Sequence, residues 1–298
     1  METIGMKTGR GSTFLLLAPA GLIVLLLMVL PLLRLFELSF HEVVPGRMSV
    51  QPALSLGSYI KALTDVYYLG ILLRTFLMSA GVTVVVALLG FPLSYFLWCA
   101  PKRWKTLLTL LVVAPLMISL VVRAYGWMVL LGDSGIVNSS LEALGFIDMP
   151  LPMMYSLGAV FLGLVHVQLP FMVLSLLTAM ERVDPVLLNA AETLSASRPR
   201  AIFEILLPLS MPGLLAGSTL VFALCMTAFV TPQLLGGSGS QVMPTLIYGQ
   251  FTTAFNWPLG AALAAILSVI SLVGVAALAW LFRLAGSLMF HRASGGAG

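Results

Sequence analysis

Long apolar stretches alternate with short polar segments along the whole sequence. Six of these stretches reach the roughly 20 mostly apolar residues that a membrane-spanning helix needs. This pattern predicts an all-α, polytopic membrane protein whose residues 1–298 form a single transmembrane domain. The six predicted spans cover residues 13–36, 69–99, 107–131, 155–180, 209–230 and 259–285.

The composition agrees with this prediction, because 60% of the residues are hydrophobic and only 9% are charged. Soluble domains contain about 25% charged residues. The first stretch is not typical of a secretion signal, because its apolar run from Phe14 to Leu33 exceeds the ~7–15 residues of such a signal. Arg34 follows it directly, in place of a small-residue cleavage site. We therefore expect an uncleaved helix.

Positively charged residues indicate the topology, because cytoplasmic loops of membrane proteins are enriched in Lys and Arg. With six spans, ten of the 15 basic residues fall on the side that holds both termini. The distribution therefore predicts a multi-pass protein with both termini and the loop of residues 181–208 in the cytoplasm. The ten residues are Lys7, Arg10, Lys102, Arg103, Lys105, Arg182, Arg198, Arg200, Arg283 and Arg292.

Catalytic and nucleotide-binding motifs are absent from the sequence. It has no GxxxxGK[ST] phosphate-binding loop, no HExxH and no GxSxG. Neither Cys99 and Cys225 nor the three histidines, His41, His166 and His291, form a ligand cluster. We expect no enzyme activity, no metal and no cofactor in this chain. The apolar stretches also contain almost none of the carboxylates that ion-coupled carriers use, so transport would draw its energy from another subunit.

A polar segment, DPVLLNAAETLSASRPRAIFEILLP (184–208), separates the fourth and fifth stretches. Asp184 can cap a first short helix that has Pro185 at its first position. A bend at 195–197 and a second short helix follow. This helix–turn–helix suits a groove on a partner protein, or it forms a linker that lies on the inner leaflet. The apolar face of the second helix comprises Ala201, Ile202, Ile205 and Leu206.

The same segment resembles the loop signature of ABC-importer permeases, EAA-x3-G-x9-I-x-L-P. The matching residues are Ala190, Ala191, Ile205, Leu207 and Pro208. Asn189 replaces the Glu, and Ser195 replaces a Gly that allows a left-handed turn. The resemblance implies that these seven residues belong to a coupling helix that docks on an ATPase subunit. A buried carboxylate at Ala191 or Leu206 is then expected to uncouple transport without blocking membrane insertion.

Four further stretches resemble the spermidine/putrescine group of type I importer permeases: VVRAYGWMVLLGDSGIVN, GLVHVQLPFMVLSL, LPLSMPGLLAGSTLVFALCMTAFVTPQLLGG and NWPLGAALAAIL. The resemblance implies the type I permease fold in a bacterial inner membrane. It also implies a second permease, two ATPase subunits that use ATP and Mg, and an external substrate-binding protein. Membrane lipid surrounds such a chain, and no nucleic acid is expected. The alternative is a protein of another class, a stand-alone channel or secondary carrier. In that case the 181–208 loop would only lie on the membrane.

Five residues near the outer ends of the third and fifth stretches are candidates for the substrate path: Tyr125, Trp127, Thr227, Phe229 and Thr231. The aromatic faces would contact an ammonium group, and the hydroxyl groups would line the path. The alternatives are an interfacial aromatic belt for the first two residues and helix packing for the others. Gly213 and Gly217 form a GxxxG pattern that favours close helix packing.

Three polar residues interrupt the third and fourth stretches. His166 and Gln168 are expected to bond across helices, as buried polar side chains in membranes usually do. A charge at the bilayer centre costs ~2.5–3.5 kcal/mol on insertion scales. Arg123 is therefore expected to extend toward the headgroups or to pair with Asp133, or else to form part of an external gate.

The predicted external side favours a cationic or zwitterionic cargo. It carries six acidic residues against five basic ones, and residues 133–148 are acidic without any Lys or Arg. Such a mouth attracts cations by a modest, salt-screened amount. Together with the resemblance, this makes polyamines the expected cargo. The alternative cargoes are those implied by related permease groups: 2-aminoethylphosphonate, opines, 4-aminobutyrate or ferric ion.

Overall fold

The computed structural model describes residues 10–42 and 54–295, with only the backbone at 10–17, 20, 238 and 285–295. Lys7 and Arg47 lie outside these residues. The described chain is helical and contains no strand, which confirms the predicted all-α class. Its α-helices are α1 (Arg10–Leu38), α2 (Gly57–Thr64), α3 (Val66–Cys99), α4 (Lys102–Val113), α5 (Leu120–Leu131), α6 (Ile136–Ala143), α7 (Leu157–Met180), α8 (Val186–Thr193), α9 (Arg198–Ala201), α10 (Leu207–Met226), α11 (Val230–Leu235), α12 (Met243–Thr252) and α13 (Trp257–Gly295).

Six helical segments of the described chain are long and apolar enough to cross a membrane, as the sequence predicts. They are Gly21–Leu38, Val66–Cys99, Leu120–Ala143, Leu157–Met180, Arg198–Met226 and Trp257–Leu284. The second and fourth begin within three residues of the predicted positions. The third and fifth differ from the prediction in ways that shape the candidate site.

Contacts divide the described residues into two compact units. The first contains α1, α2 and residues 247–265, and the second contains residues 66–246 and those from 266 onward. In the first unit the buried Ser39 hydroxyl donates a hydrogen bond to the carbonyl of Phe36 and lies 2.7 Å from the Tyr59 hydroxyl. The described side chains of α1 from 21 to 34 are exposed and mostly apolar, which suits a lipid environment.

The core of the second unit lies where α3, α7 and α10 pack together. Small residues permit this close approach. A Cβ atom at Gly213 of α10 would lie 2.4 Å from the Cβ of Ala179 and 2.7 Å from the carbonyl oxygen of Ser175, both on α7. A Cβ at Gly217 would lie 2.6 Å from the sulfur of Met172. The predicted role of the GxxxG pattern in helix packing is confirmed.

The third predicted span, 107–131, is not one helix. Helix α4 ends at Val113, a 3₁₀ turn covers Ala114–Met117, and Ile118 and Ser119 are extended before α5 begins. Pro115 explains the break, because proline has no amide hydrogen and its ring clashes with the carbonyl one turn earlier in an α-helix.

The fifth predicted span, 209–230, is shifted toward the N-terminus. Its helix begins at Arg198 and runs through a π-helical turn, Ile202–Leu206, into α10. The predicted second short helix is therefore the first part of this span. Helix α10 ends at Met226, and α11 starts again at Val230, so that Pro232 falls in a first turn, where its missing amide hydrogen costs nothing.

Candidate functional site

A cavity of about 830 Å³ lies in the second unit, between the two interrupted helices and α7. Residues at the break between α4 and α5, residues at the break between α10 and α11, and residues of α7 line it. We call it the central cavity. Its lining residues on the interrupted helices are Leu116, Met117, Ile118, Ser119, Leu120, Arg123, Leu224, Thr227, Ala228, Phe229, Val230 and Thr231.

Arg123 is buried in the wall of the central cavity, with 8% of its surface exposed. Its Nη2 donates hydrogen bonds to the carbonyl of Pro115 and, at 2.9 Å, to that of Ile118. The guanidinium thereby bonds to two carbonyls at the helix break, of which that of Pro115 also accepts a hydrogen bond of 3.2 Å from the amide of Ile118. The Nε and Nη1 atoms are buried without a hydrogen-bond partner among the described residues. Arg123 therefore neither extends to the headgroups nor pairs with Asp133.

Two polar side chains of α7 bond across helices, as predicted. Gln168 Nε2 lies 3.6 Å from the sulfur of Cys225 on α10, while Gln168 Oε1 is buried without a partner in the described part of the chain. His166 Nδ1 accepts a hydrogen bond of 3.1 Å from Trp127 Nε1 on α5. Gln168 lines the central cavity, and its unpaired oxygen is buried in the cavity wall.

The predicted path residues fall into two groups. Thr227, Phe229 and Thr231 line the central cavity at the break between α10 and α11. Tyr125 and Trp127 do not line it, because Tyr125 is exposed on α5 and Trp127 is held by His166. The hydroxyl of Thr227, the residue after α10, donates to the carbonyl of Ala223 in the last turn of α10 at 3.1 Å.

Helix α11 turns back against α5 and α7. Its buried residues Thr231 and Leu235 approach Gly163 of α7 so closely that a Cβ there would lie 2.7 Å from a side-chain carbon of each. The 3₁₀ turn that follows is held to α3, because Arg74 donates to the carbonyl of Gly239 at 2.8 Å. Sequence reasoning did not find this fixed position for α11, because it depends on the missing side chain at Gly163.

The loop of residues 181–208 begins with the predicted short helix, α8. The Asp184 carboxylate accepts a hydrogen bond of 2.9 Å from the amide of Val186, as predicted, but α8 begins one residue later than predicted, with Pro185 as its N-cap. Helix α8 then ends in a Schellman motif. The amide of Ser195 donates to the carbonyl of Glu192, and that of Ala196 donates to the carbonyl of Ala191, both at 3.0 Å.

Ser195 adopts the left-handed conformation, with φ of 67°, at the position where the importer signature has glycine. A side chain in this conformation costs roughly 1–2 kcal/mol, because its Cβ approaches the following carbonyl. Serine therefore keeps the fold of the loop at an energetic cost.

We expect Ser195→Gly to stabilise the end of α8 by about 1 kcal/mol. Amide hydrogen exchange of residues 186–196 in the purified protein should become several-fold slower. Ser197→Gly is the matched control, because Ser197 has φ of −67° and gains nothing from glycine. Equal or faster exchange in Ser195→Gly would contradict the expectation.

The apolar face predicted for the second short helix packs inside this chain rather than facing a partner. Ala201 and Leu206 are fully buried, and Ile202 and Ile205 pack against the same cluster. The cluster also contains Met180, Val183 and Leu188, with Ala191 at its edge. This prediction was wrong for Leu206, because helical spacing identifies an apolar face but not what covers it.

The outward face of α8 carries a different apolar stripe. Leu187, Ala190 and Leu194 are exposed and spaced by three and four residues, so they share one face. Leu194 is 84% exposed. We call these three residues the α8 stripe. The spacing is visible in the sequence, but the buried Leu188 and the partly buried Ala191 are also apolar, so the sequence alone does not show which residues are exposed.

A polar groove of about 660 Å³ runs beside α8 and includes Asn189. Lys105 and Glu181 form an ion pair of 2.8 Å there, and the Arg198 guanidinium donates to the Tyr95 hydroxyl at 3.2 Å. The ion pair joins α4 to the end of α7, and the hydrogen bond joins α9 to α3. Of the other signature residues, Ala190 is exposed, Leu207 lines a separate apolar groove, and Pro208 is partly buried.

No group of three His, Cys, Asp or Glu side chains within the described residues could hold a metal ion. A helical membrane bundle with a cavity between interrupted helices and a polar helical loop is typical of a transporter subunit. The chain belongs to the family described as "Binding-protein-dependent transport system inner membrane component", whose sequence profile matches residues 14–285. It is therefore an inner-membrane permease of a binding-protein-dependent importer, as the resemblance implies.

Relatives named as polyamine permeases match most of the chain. It is 34% identical over 221 residues to "Spermidine/putrescine transport system permease protein PotB" of Escherichia coli K12, covering 74% of this chain and 80% of that protein. The protein of the same name from Haemophilus influenzae is 36% identical over 193 residues, or 65% of this chain and 68% of that one. A putative 2-aminoethylphosphonate permease, PhnU of Salmonella typhimurium, is 27% identical over 88% of this chain and 92% of that protein.

Solved structures have the same fold. A bacterial alginate ABC transporter, crystallised with an alginate-bound periplasmic protein, matches with a TM-score of 0.77 over 92% of this chain and 94% of that chain, at 17% identity. A second alginate transporter structure gives a TM-score of 0.72 over 91% and 94%, at 19% identity. At such low identity the comparison shows the fold alone, and it confirms the predicted importer-permease architecture.

Proposed function

We propose that this chain is one of two permeases in an ATP-driven importer of small organic amines, with polyamines as the first cargo to test. In this proposal ATP and Mg bind to partner ATPase subunits, and an external binding protein delivers the cargo. Both termini and the 181–208 loop lie in the cytoplasm. The 34% identity to a spermidine/putrescine permease over 80% of that protein's length carries the proposal.

The central cavity supports a role in forming the cargo path. It lies between two helix breaks, and discontinuous helices form the substrate sites of many transporters. Thr227, Phe229 and Thr231 supply hydroxyl groups and an aromatic face to it. The buried oxygen of Gln168 is a free acceptor for an amine. We propose that these four residues contact the cargo.

The 181–208 loop is proposed to couple the path to the ATPase. Its α8 stripe is exposed, and its inner face is anchored on the buried cluster around Leu206. Force on α8 therefore reaches α10 and the helix break at Thr227 through continuous helix from Arg198 to Met226. An amphipathic helix in a groove on the partner is a common recognition mode.

Purification of the tagged chain from its native membrane tests this function. We expect a second permease and an ATPase to co-purify, and the assembled complex in liposomes to take up labelled spermidine or putrescine when ATP and the binding protein are present. Uptake by this chain alone, without any ATPase, would contradict the proposal and favour a secondary carrier.

We expect Leu194→Asp to uncouple transport while leaving the fold intact. The substitution places a carboxylate in the proposed apolar contact, and burying it there costs several kcal/mol, whereas the free chain leaves this side chain in solvent. Cargo-stimulated ATPase activity should fall at least about tenfold. Thr193→Asp, an exposed neighbour outside the α8 stripe, is the control. Normal uptake by Leu194→Asp would mean that the stripe does not dock.

A further inference from the structure

The guanidinium of Arg123 has two unused hydrogen-bonding atoms in the wall of the central cavity. Its Nη2 is occupied by the carbonyls of Pro115 and Ile118, and 8% of the residue is exposed. Nε and Nη1 are buried, and no described group accepts a hydrogen bond from either. Carbonyl dipoles satisfy part of the guanidinium but leave its net charge uncompensated. Charged side chains within a membrane pair with one another or with backbone carbonyls, and of these partners only an opposite charge would also balance the guanidinium.

This chain does not supply that counter-charge. Among the described residues that line the central cavity, Arg123 is the only ionisable one. The sequence has no Asp or Glu at all in residues 66–132, 149–180 or 205–298, which include α3, α5, α7, α10 and α11. A compensating carboxylate must therefore come from another molecule.

We propose that a carboxylate on a membrane-spanning helix of the second permease faces the central cavity and pairs with Arg123. The proposal rests on the two-permease function given above. Cargo is present only during transport, so it cannot compensate a charge that is always buried. A second copy of this chain would bring a second Arg123 instead, and like charges disfavour each other. The partner is therefore a different chain that carries an acid within a span.

The pairing gives Arg123 a role toward an amine cargo. An ammonium group in the central cavity needs the same carboxylate, since this chain offers it only neutral acceptors such as Gln168. Arg123 then holds the partner's carboxylate between transport cycles, and an arriving ammonium group binds to a second oxygen of the same carboxylate. Arg123 acts as a positioning residue that keeps the acid charged and directed into the path.

Charge reversal in the assembled complex tests the pairing. We expect Arg123→Glu to lower ATP-driven polyamine uptake by about tenfold or more. Reversing the matching acid of the second permease to Arg should restore a large part of that uptake. A residue that served only to hold the carbonyls of Pro115 and Ile118 would not be rescued by a change in another chain. Arg74→Glu is the control, because Arg74 bonds to the carbonyl of Gly239, and the same reversal should not rescue it.

Milder variants keep the test valid if charge reversal prevents assembly. We expect Arg123→Gln to lower uptake. Replacing the partner's acid with the matching amide, Asn or Gln, should also lower uptake. The variant that carries both changes should lose little more uptake than either single variant. Additive losses for every intramembrane acid of the second permease would overturn the pairing, as would normal uptake by Arg123→Gln. The sequence of the second permease is a further test, because the absence of any Asp or Glu from its spans would overturn the pairing. Failure of the wild-type chain to co-purify with a second permease would contradict the proposed function itself.

Discussion

Replacing Leu206 with Asp is expected to prevent accumulation of the folded protein. Leu206 is fully buried in a cluster with Met180, Val183, Leu188 and Ala201. The substitution removes the leucine side chain from a packed core, which costs about 2–5 kcal/mol. It also buries a carboxylate without a partner, which adds several kcal/mol. The sum is comparable to the whole stability of a typical domain.

Two quantities test this: the amount of monodisperse protein in detergent and its thermal midpoint. Both are compared between Leu206→Asp and Leu194→Asp. The two variants carry the same chemical change in the same loop, but Leu194 is 84% exposed. We expect Leu194→Asp to match the wild type in both measurements and Leu206→Asp to fail. Equal stability of the two variants would mean that the 181–208 loop does not pack as described.

Gly213→Ala is expected to destabilise the packing of α7 against α10 by about 1–3 kcal/mol, the usual cost of overfilling a core. The new Cβ would lie 2.7 Å from the backbone oxygen of Ser175, which cannot move aside as a flexible side chain can. The two helices must separate, and the central cavity changes with them. Both the thermal midpoint and cargo-stimulated ATPase activity should fall.

Gly70→Ala in α3 is the matched control for Gly213→Ala. A Cβ at Gly70 meets no atom within 4 Å, so the change adds only the helix propensity of alanine, which is up to about 1 kcal/mol better than that of glycine. We expect its thermal midpoint to be unchanged or higher. A Gly213→Ala variant as stable as Gly70→Ala would show that the helices are not in close contact.

The six spans were predictable because each must present about 20 apolar residues to lipid, whatever it packs against. Helix α7 illustrates this, since the predicted 155–180 and the observed Leu157–Met180 differ by two residues. The hydrogen bond to Asp184 was predictable for a similar reason, because it needs only a carboxylate two residues before a free amide. The family signature likewise depends on residues that are close together in sequence.

The interruptions of the third and fifth spans were not predictable from sequence. A proline within a membrane helix can end the helix or remain inside it, depending on how neighbouring groups satisfy the backbone around it. At Pro115 the helix ends in a 3₁₀ turn, and Arg123 bonds to the Pro115 carbonyl. The same sequence pattern in Pro170 leaves α7 continuous. The difference depends on contacts that hydropathy does not contain.

Local sequence therefore determined which segments span the membrane, where α8 begins and which family the chain resembles, because these features depend on composition and short-range hydrogen bonds. Tertiary structure alone decided which apolar face of the 181–208 loop is covered and where α11 lies. It also decided that Arg123 is buried in the wall of the central cavity, where it bonds to the carbonyls of Pro115 and Ile118. Each of these outcomes depends on which distant helix approaches closely enough to exclude water and lipid. Glycines such as Gly163 and Gly213 permit this approach because they have no side chain.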